Sequence, residues 1–313
     1  MQLVLAMNVI HSASELKPGT RGVCLAIGFF DGVHLGHQQI LRQTIAAARQ
    51  QEGLALVITF DHHPNTIVAP ARVPPLIYSL PQKLRTIESL GVDALLLVHF
   101  DQAFSQLSGE DFIRGLAGDL NHIGSVCVGA NFTFGYKRAG NVDLLQKLGS
   151  ELHFGVQAVA AVSLDGKAVS STRIRETIRL GNLDAASQML GRAYALNGQV
   201  LRGDGLGHQL GFPTANLDTT GLLLPPDGVY AAHAEFAGAR HRAVLNIGWR
   251  PTVGVPTPTR RVEVHVLEFC GDLYGQTIEV AFGQKLRDEK KFGSLAELKD
   301  QIGKDIEAAT KTF

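Results

Sequence analysis

The chain reads as an α/β domain with a doubly wound parallel sheet, followed by a small antiparallel β-barrel with a terminal helix. Three observations carry that expectation. Strand-length apolar runs alternate with amphipathic helical stretches through the first half. Such β/α alternation predicts a parallel sheet. From Ala195 onward, short alternating runs and glycine turns replace it, as in small barrels. A length of 313 residues suits two domains, at roughly 150 residues each. The change of texture between Gly181 and Ala195 divides the chain into residues 1–184 and 185–313.

The elements follow in order. Val23–Ile27 is an apolar strand, then a tight turn, then a helix from Gln38 to Arg49. Further strands are Leu54–Phe60, Ala94–Phe100, Ser125–Gly129 and Val156–Val162, with helices at Gln82–Leu90, Gly109–Leu120 and Val142–His153. Ser108 and Asp111 form a capping box for the second of these helices. Ser171–Leu180 is helical, and a shorter helix ends at Gly191. Barrel strands are expected at Tyr194–Leu201, Val229–Phe236, His241–Ile247, Arg261–Phe269 and Thr277–Phe282. A last helix runs from Ser294 to Ala309, with Ser294 and Glu297 as its capping box.

Composition narrows the function classes. Hydrophobic content of 45% and charged content of 19% fit a globular protein. Lys plus Arg equals Asp plus Glu at 29 each, which argues against a strongly basic nucleic-acid surface. Cys24, Cys127 and Cys270 are sparse and separated, the pattern of reduced thiols in a cytoplasmic protein. Cys24 and Cys127 fall in strands, where each serves as a small buried hydrophobe. No run has the length of a membrane span, and the N-terminus shows no export signal. Neither a nucleic-acid nor a membrane partner is expected; a monomer or weak homo-oligomer is.

The chemistry starts at Gly28-Phe29-Phe30-Asp31-Gly32-Val33-His34-Leu35-Gly36-His37. A helix start after a parallel strand offers unpaired N–H groups and a positive dipole end to a phosphate. Gly36 allows close backbone approach, and His34 and His37 add directed donors. No Walker lysine motif is present. Thr59-Phe60-Asp61-His62-His63-Pro64 ends the second strand. Adjacent histidines on an extended chain point apart, so they do not make a metal site together. Val128-Gly129-Ala130-Asn131-Phe132-Thr133-Phe134-Gly135 ends a later strand, with both phenylalanines on one side. Ser170-Ser171-Thr172-Arg173-Ile174-Arg175 opens a helix, where hydroxyls, N–H groups and arginine can meet an anion. In the second half, Gly203-Asp204-Gly205-Leu206-Gly207-His208-Gln209-Leu210-Gly211 leads into Phe212-Pro213-Thr214-Ala215-Asn216, a flexible loop able to cradle phosphate. Glu263, His265 and Leu267 share one face of their strand. By itself Glu263 reads as an ordinary solvated strand residue.

These motifs, in this order and over residues 20–310, resemble the bacterial FAD synthetases, which join a nucleotidylyltransferase domain of Rossmann-like fold to a riboflavin kinase barrel. The resemblance implies phosphorylation of riboflavin to FMN by ATP, then adenylylation of FMN to FAD. It implies Mg²⁺ as cofactor and ATP as co-substrate, with riboflavin, FMN and FAD as the other ligands. For the adenylyltransferase it implies Gly28, Phe29, Asp31, His34, Gly36 and His37 around ATP, the two histidines being catalytic. Asn131, Ser171, Thr172 and Arg175 complete that site. For the kinase it implies Gly203, Gly205, Gly207, Gly211, Thr214 and Asn216 around ATP, the last two also holding the metal. Glu263 becomes the general base for the riboflavin hydroxyl, expected inside the barrel mouth near Thr214 and Asn216. Asn131, Arg287 and Phe292 are implied at the flavin. Two positions depart from the family pattern: His62 stands where a proline is usual, and His208 where Arg or Lys is common. Another small-molecule nucleotidylyltransferase with an accessory barrel, and a flavin-binding storage or regulatory protein, are the competing readings. The first leaves Pro213-Thr214-Ala215-Asn216 with Glu263 unexplained; the second predicts flavin binding without ATP turnover.

Overall fold

The computed structural model describes residues 6–17, 21–203, 206–250 and 259–313. Two compact units emerge, residues 1–74 with 80–171 and residues 75–79 with 172–313.

The first unit is built on six strands: β1 (Asn8–Ile10), β2 (Val23–Ile27), β3 (Leu54–Phe60), β4 (Ala94–Val98), β5 (Ile123–Gly129) and β6 (Gly155–Val159). They pair in the order β1-β4-β3-β2-β5-β6, every pair parallel. Its helices are α1 (Leu35–Gln50), α2 (Asn65–Val68), α3 (Leu80–Glu88), α4 (Gln102–Ser105), α5 (Gly109–Leu120) and α6 (Val142–Leu152); β7 (Ser163–Leu164) and β8 (Lys167–Ala168) add a small hairpin. Both sheet faces are apolar because both are covered. Leu25, Leu56 and Val126 pack with Ile113 of α5 and Leu145 of α6. The alternate residues Ala26, Val57 and Leu95 pack with Leu41 of α1 and Ile87 of α3. Cys24 and Cys127 are buried, the small strand hydrophobes expected, whereas Cys270 is exposed. From β2 the chain order runs outward to β3 and β4 on one side and to β5 and β6 on the other. The crevice at the carboxyl ends of β2 and β5 is therefore the topological switch where such sheets bind ligands. The edge strand β1 was not anticipated: three residues are too few to show a period.

Helix α7 (Ser171–Arg179) crosses into the second unit, which continues with α8 (Leu183–Leu190), β9 (Ala195–Leu201), α9 (Leu206–Leu210) and β10 (Ala215–Leu217). Strands β11 (Gly228–Phe236), β12 (Ala239–Arg250), β13 (Thr259–Val266) and β14 (Thr277–Arg287) precede α10 (Leu295–Thr310). The residue 184/185 division lies inside α8. Six strands close an antiparallel barrel, β10-β13-β12-β11-β14-β9. Its interior is filled: Leu245, Ile247, Val262, Val264, Ile278 and Val280 are at most 1% exposed. Helix α10 covers the opposite face of the wall, with Ile306 and Ala309 packed on Val229 and Val244. Ser294 caps it by accepting from the Glu297 N–H. Sequence periodicity missed β10, yet this short strand joins β9 to β13 and closes the barrel. β13 stops at Val266, short of the expected Phe269, and Glu268 beyond it takes a positive φ of 56°.

Candidate active sites

In the first unit, Ile27 leads into a loop whose backbone is unusual. Phe30 and Val33 have φ of 54° and 38°, and Gly32 lies between them at 76°. Non-glycine residues hold such conformations only where their surroundings over-determine them. Several bonds do so. The Thr59 hydroxyl donates to the Phe29 carbonyl at 3.0 Å, Ser171 Oγ to the Asp31 carbonyl at 3.0 Å, and Gln38 Nε2 to the Val33 carbonyl at 2.9 Å. Gly28 has no room for a side chain, because a Cβ would stand 2.9 Å from the Phe30 ring.

His34 is the N-cap of α1, so the helix starts three residues earlier than the sequence pattern indicates. Its Nδ1 accepts from the His37 N–H at 3.3 Å. An accepting Nδ1 leaves the neutral ring's proton on Nε2. The His34 and His37 rings stack at 3.6 Å between centroids, and His37 meets Phe30 edge-on. Gly36 fits beneath them: a Cβ there would lie 3.2 Å from the His34 ring. The first-turn N–H groups and both imidazoles thus gather at one helix terminus, an arrangement suited to phosphate.

Around this terminus the expected residues fall in different places. Phe29 is half-buried and meets His63 edge-on at 4.8 Å. Asp31 is buried and is tied through its backbone to Ser171. Asn131 is exposed just beyond β5, on the far side of the switch from β3, and Phe132 and Phe134 stack at 5.3 Å. Thr172 and Arg175 belong to the second unit. There Arg175 is buried, its Nε donating to the Pro75 carbonyl at 2.9 Å.

His62 does not pair with His63. Asp61 gathers His62 Nδ1 at 2.7 Å and His99 Nδ1 at 2.6 Å on its two oxygens, and also accepts the His62 and Phe100 N–H groups. This trio has the ligand types for a metal ion. The carboxylate already accepts the His62 and Phe100 N–H groups and bonds the His99 ring, and it clamps the ends of β3 and β4 together. Burial would raise the Asp61 pKa, but the His99 hydrogen bond and both imidazoles hold it below the ordinary value. The His99 pKa is raised in turn by Asp61.

In the second unit, a cavity of ≈1640 Å³ lies along the wall beneath α10. Thr214, Asn216, Glu263, Arg287 and Phe292 all line it, as do Gly203 and Gly207. Asn216, Glu263 and Asn246 stand side by side on β10, β13 and β12, direct partners in register. Residues paired across an antiparallel ladder share a face. Asn246 in turn pairs with Val229, which α10 covers. Glu263 therefore stands on the helix-covered face. This corrects the expected placement inside the barrel mouth, where Val262 and Val264 fill the interior.

The Asn216 Oδ1 is buried with no hydrogen-bond partner among the described residues. An orphaned amide oxygen and a threonine hydroxyl lining one cavity suit a hard cation, so Thr214 and Asn216 fit Mg²⁺. The glycines here make room for side chains. A Cβ on Gly203 would come 2.0 Å from Asn216 Nδ2, and one on Gly207 would lie 3.1 Å from the Thr214 hydroxyl. Gly211 has φ of 89°, and Gly205 lies outside the described residues. His208 is exposed. Arg287 is committed to the fold: its guanidinium forks onto Asp305 of α10 at 2.9 and 2.8 Å and lies 5.8 Å from the Phe292 ring. Asn246 opens a stretch, residues 246–252, that resembles a kinase-family segment but carried no assigned role; its register beside Glu263 gives it a place in the site.

The two sites define a two-domain nucleotide-using transferase. A FAD synthetase family model matches residues 16–173, and a riboflavin kinase model matches residues 190–313. The chain belongs to the bifunctional riboflavin kinase/FMN adenylyltransferase family. It is an enzyme of flavin-nucleotide synthesis, and both activities use ATP. It is 37% identical to the bifunctional riboflavin kinase/FMN adenylyltransferase of Pseudomonas fluorescens, over 97% of each chain. The Escherichia coli K12 protein of the same name is also 37% identical, over 97% of this chain and 96% of its own. A solved structure described as a macrolide-efflux protein from Streptococcus pneumoniae matches with TM-score 0.82 at 29% identity, covering 98% of this chain and 99% of that one. Among the described residues, no helix is long and apolar enough to cross a membrane.

Proposed function

We propose that the chain phosphorylates riboflavin in the barrel cavity and adenylylates FMN at the α1 terminus, each with ATP. The observation that carries the kinase assignment is the register of Asn216, Glu263 and Asn246 beside the glycine loop. The Glu263 carboxylate takes the proton of the riboflavin 5′-hydroxyl. That oxygen then bonds to the γ-phosphorus of ATP, and the bond to ADP breaks. Thr214 and Asn216 would hold Mg²⁺, which supplies charge neutralisation at the phosphates when bound. Phe292 flanks the flavin, and Arg287 keeps α10 against the wall rather than meeting the ligand first. Gly203, Gly205, Gly207 and Gly211 let the loop approach the phosphates.

In the adenylyl step, an oxygen of the FMN phosphate bonds to the α-phosphorus of ATP, and pyrophosphate leaves. No protein nucleophile is needed; positioning and charge stabilisation carry such transfers. His34 and His37 donate to the phosphates at the start of α1, with Gly28, Phe29, Asp31 and Gly36 shaping the approach. Asn131 contacts the nucleotide and flavin from the β5 end, and Ser171, Thr172 and Arg175 serve the phosphates from α7. We further assign residues 1–184 to FAD formation and 185–313 to FMN formation, in a cytoplasmic protein that is a monomer or weak homo-oligomer, without nucleic-acid or membrane partners. Incubation of the purified chain with riboflavin, Mg²⁺ and ATP, with the flavins separated afterwards, tests the whole: FMN then FAD should accumulate. Flavin retained without ATP turnover would refute it.

A further inference from the structure

Lys83 on α3 is 4% exposed, deeper than nearly all other lysines in soluble proteins. Its Nζ reaches the Phe60 carbonyl at 2.9 Å, the Phe29 carbonyl at 3.2 Å and Thr59 Oγ1 at 3.2 Å. An ammonium has three N–H donors and no acceptor, and here it meets three oxygens. Thr59 Oγ1 can accept from it because that hydroxyl's own proton goes to the Phe29 carbonyl. The ammonium also lies 4.4 Å from the Phe29 ring centroid. Phe29 opens the strained loop that carries His34 and His37. Phe60 ends the strand that leads to His63. One buried cation therefore pins both segments at the ligand end of the sheet.

We propose that Lys83 is a positioning residue for adenylyl transfer, whose charged form holds the His34/His37 loop against the end of β3. The proposal rests on the reading of that loop as the adenylyl site. Nothing in the geometry requires Lys83 to touch ATP or flavin. Its neutral form has two N–H groups for three acceptors, so one of the pinned oxygens is released when the proton leaves. The Phe29 carbonyl keeps the Thr59 hydroxyl in either state, so the loss falls on the link between the loop and the end of β3, and a loop with two non-glycine residues at positive φ has little reserve to absorb it.

The ionisation lies in an accessible range. Burial lowers the Lys83 pKa from 10.5 to about 8, against the opposing pull of Asp31 and Asp61, the charged groups facing it. The sign of the stability effect is then opposite to that of the activity effect. Between about 8 and 10.5 the unfolded chain holds the proton that the folded chain has released. The unfolded state binds more protons, so this group's contribution to stability rises with pH there. FAD formation should fall over the same interval. A merely structural lysine would not divide the two in this way.

The test uses the full-length chain with supplied FMN, ATP and Mg²⁺, and measures riboflavin phosphorylation in the same preparations. For wild type, kcat for FAD formation should drop roughly tenfold per pH unit above about 8, while the thermal midpoint of the first unit does not fall. Lys83→Met should lower kcat for FAD formation by about 10²-fold at pH 7, with KM for ATP changed less than about threefold and kinase activity intact. Lys83→Arg keeps its charge across this range, so whatever rate it retains should lack the alkaline fall. A flat wild-type profile from pH 7 to 10, or Lys83→Met within about threefold of wild type, would overturn the proposal. His34→Ala run alongside separates the two layers. A depressed His34→Ala with an unaffected Lys83→Met refutes the role of Lys83 alone. An unaffected His34→Ala refutes the site reading, and this role with it.

Discussion

The two sites are built by different means. In the first unit the ligand end is a loop and a helix terminus, where backbone N–H groups, two stacked imidazoles and a strained turn come from one short stretch of chain. In the barrel unit the site is a wall: Asn216, Glu263 and Asn246 come from three strands and meet only through register. A site made from one segment depends on what holds that segment in shape. A site made from paired strands inherits its rigidity from the ladder and depends on the identity of each side chain. Substitutions can break or sharpen this contrast.

The largest effect is expected at the wall. Glu263→Gln keeps size and hydrogen-bonding capacity but removes the base. It should lower single-turnover FMN formation by about 10²-fold or more with folding and flavin affinity little changed, and leave FAD formation from supplied FMN intact. A rate within about threefold of wild type would remove Glu263 from the base assignment. At the loop site, His34→Ala or His37→Ala should reduce FAD formation by about 10²-fold, measured with supplied FMN, and spare FMN formation. His34→Ala also removes the α1 N-cap, so its thermal midpoint should fall by the equivalent of about 1 kcal/mol.

An intermediate effect should come from the seat of α10. Asp305 is 5% exposed and takes the Arg287 fork. Asp305→Asn leaves a partly buried guanidinium without its charge partner. It should destabilise the second unit by about 2–3 kcal/mol, less than for a fully buried pair because Arg287 keeps some solvent. Denaturant unfolding with separate probes for the two units checks this, and the KM for riboflavin should rise. The smallest effect should be at His99, whose ring is largely solvent-exposed. Its pKa is raised by Asp61, so the pair's contribution is present below the ordinary histidine value and is lost as pH rises through the raised one. His99→Ala should leave both activities within about twofold, since exposed ion pairs contribute little. A large loss of FAD formation would show that the β3–β4 clamp matters to the loop site.

The same contrast explains what could be seen in the sequence. His34, Gly36 and His37 were legible because strand, turn and helix start are contiguous, and their chemistry is local. The sheet was legible because both faces are covered, which leaves continuous apolar runs such as Val23–Ile27. Alternation along β13 put Glu263 and His265 on one face, but not which face; that required knowing that α10 covers Val229 and that Asn246 is paired with it. The clamp of Asp61, His62 and His99 joins residues 38 positions apart through neighbouring strand ends. Lys83 falls within the expected Gln82–Leu90 helix, and its burial leaves no mark in the pattern. β1 and β10 are shorter than a readable period.

Separate sites are most directly tested by mixing two full-length variants, each lacking one activity. Glu263→Gln given riboflavin, ATP and Mg²⁺ should form neither flavin nucleotide at a significant rate. His34→Ala under the same conditions should stop at FMN. Mixed together, the two variants should convert riboflavin to FAD, because FMN released by one is adenylylated by the other. If the mixture also stops at FMN while Glu263→Gln adenylylates supplied FMN poorly, the two residues serve one shared site, and the division of labour between sheet and barrel is wrong.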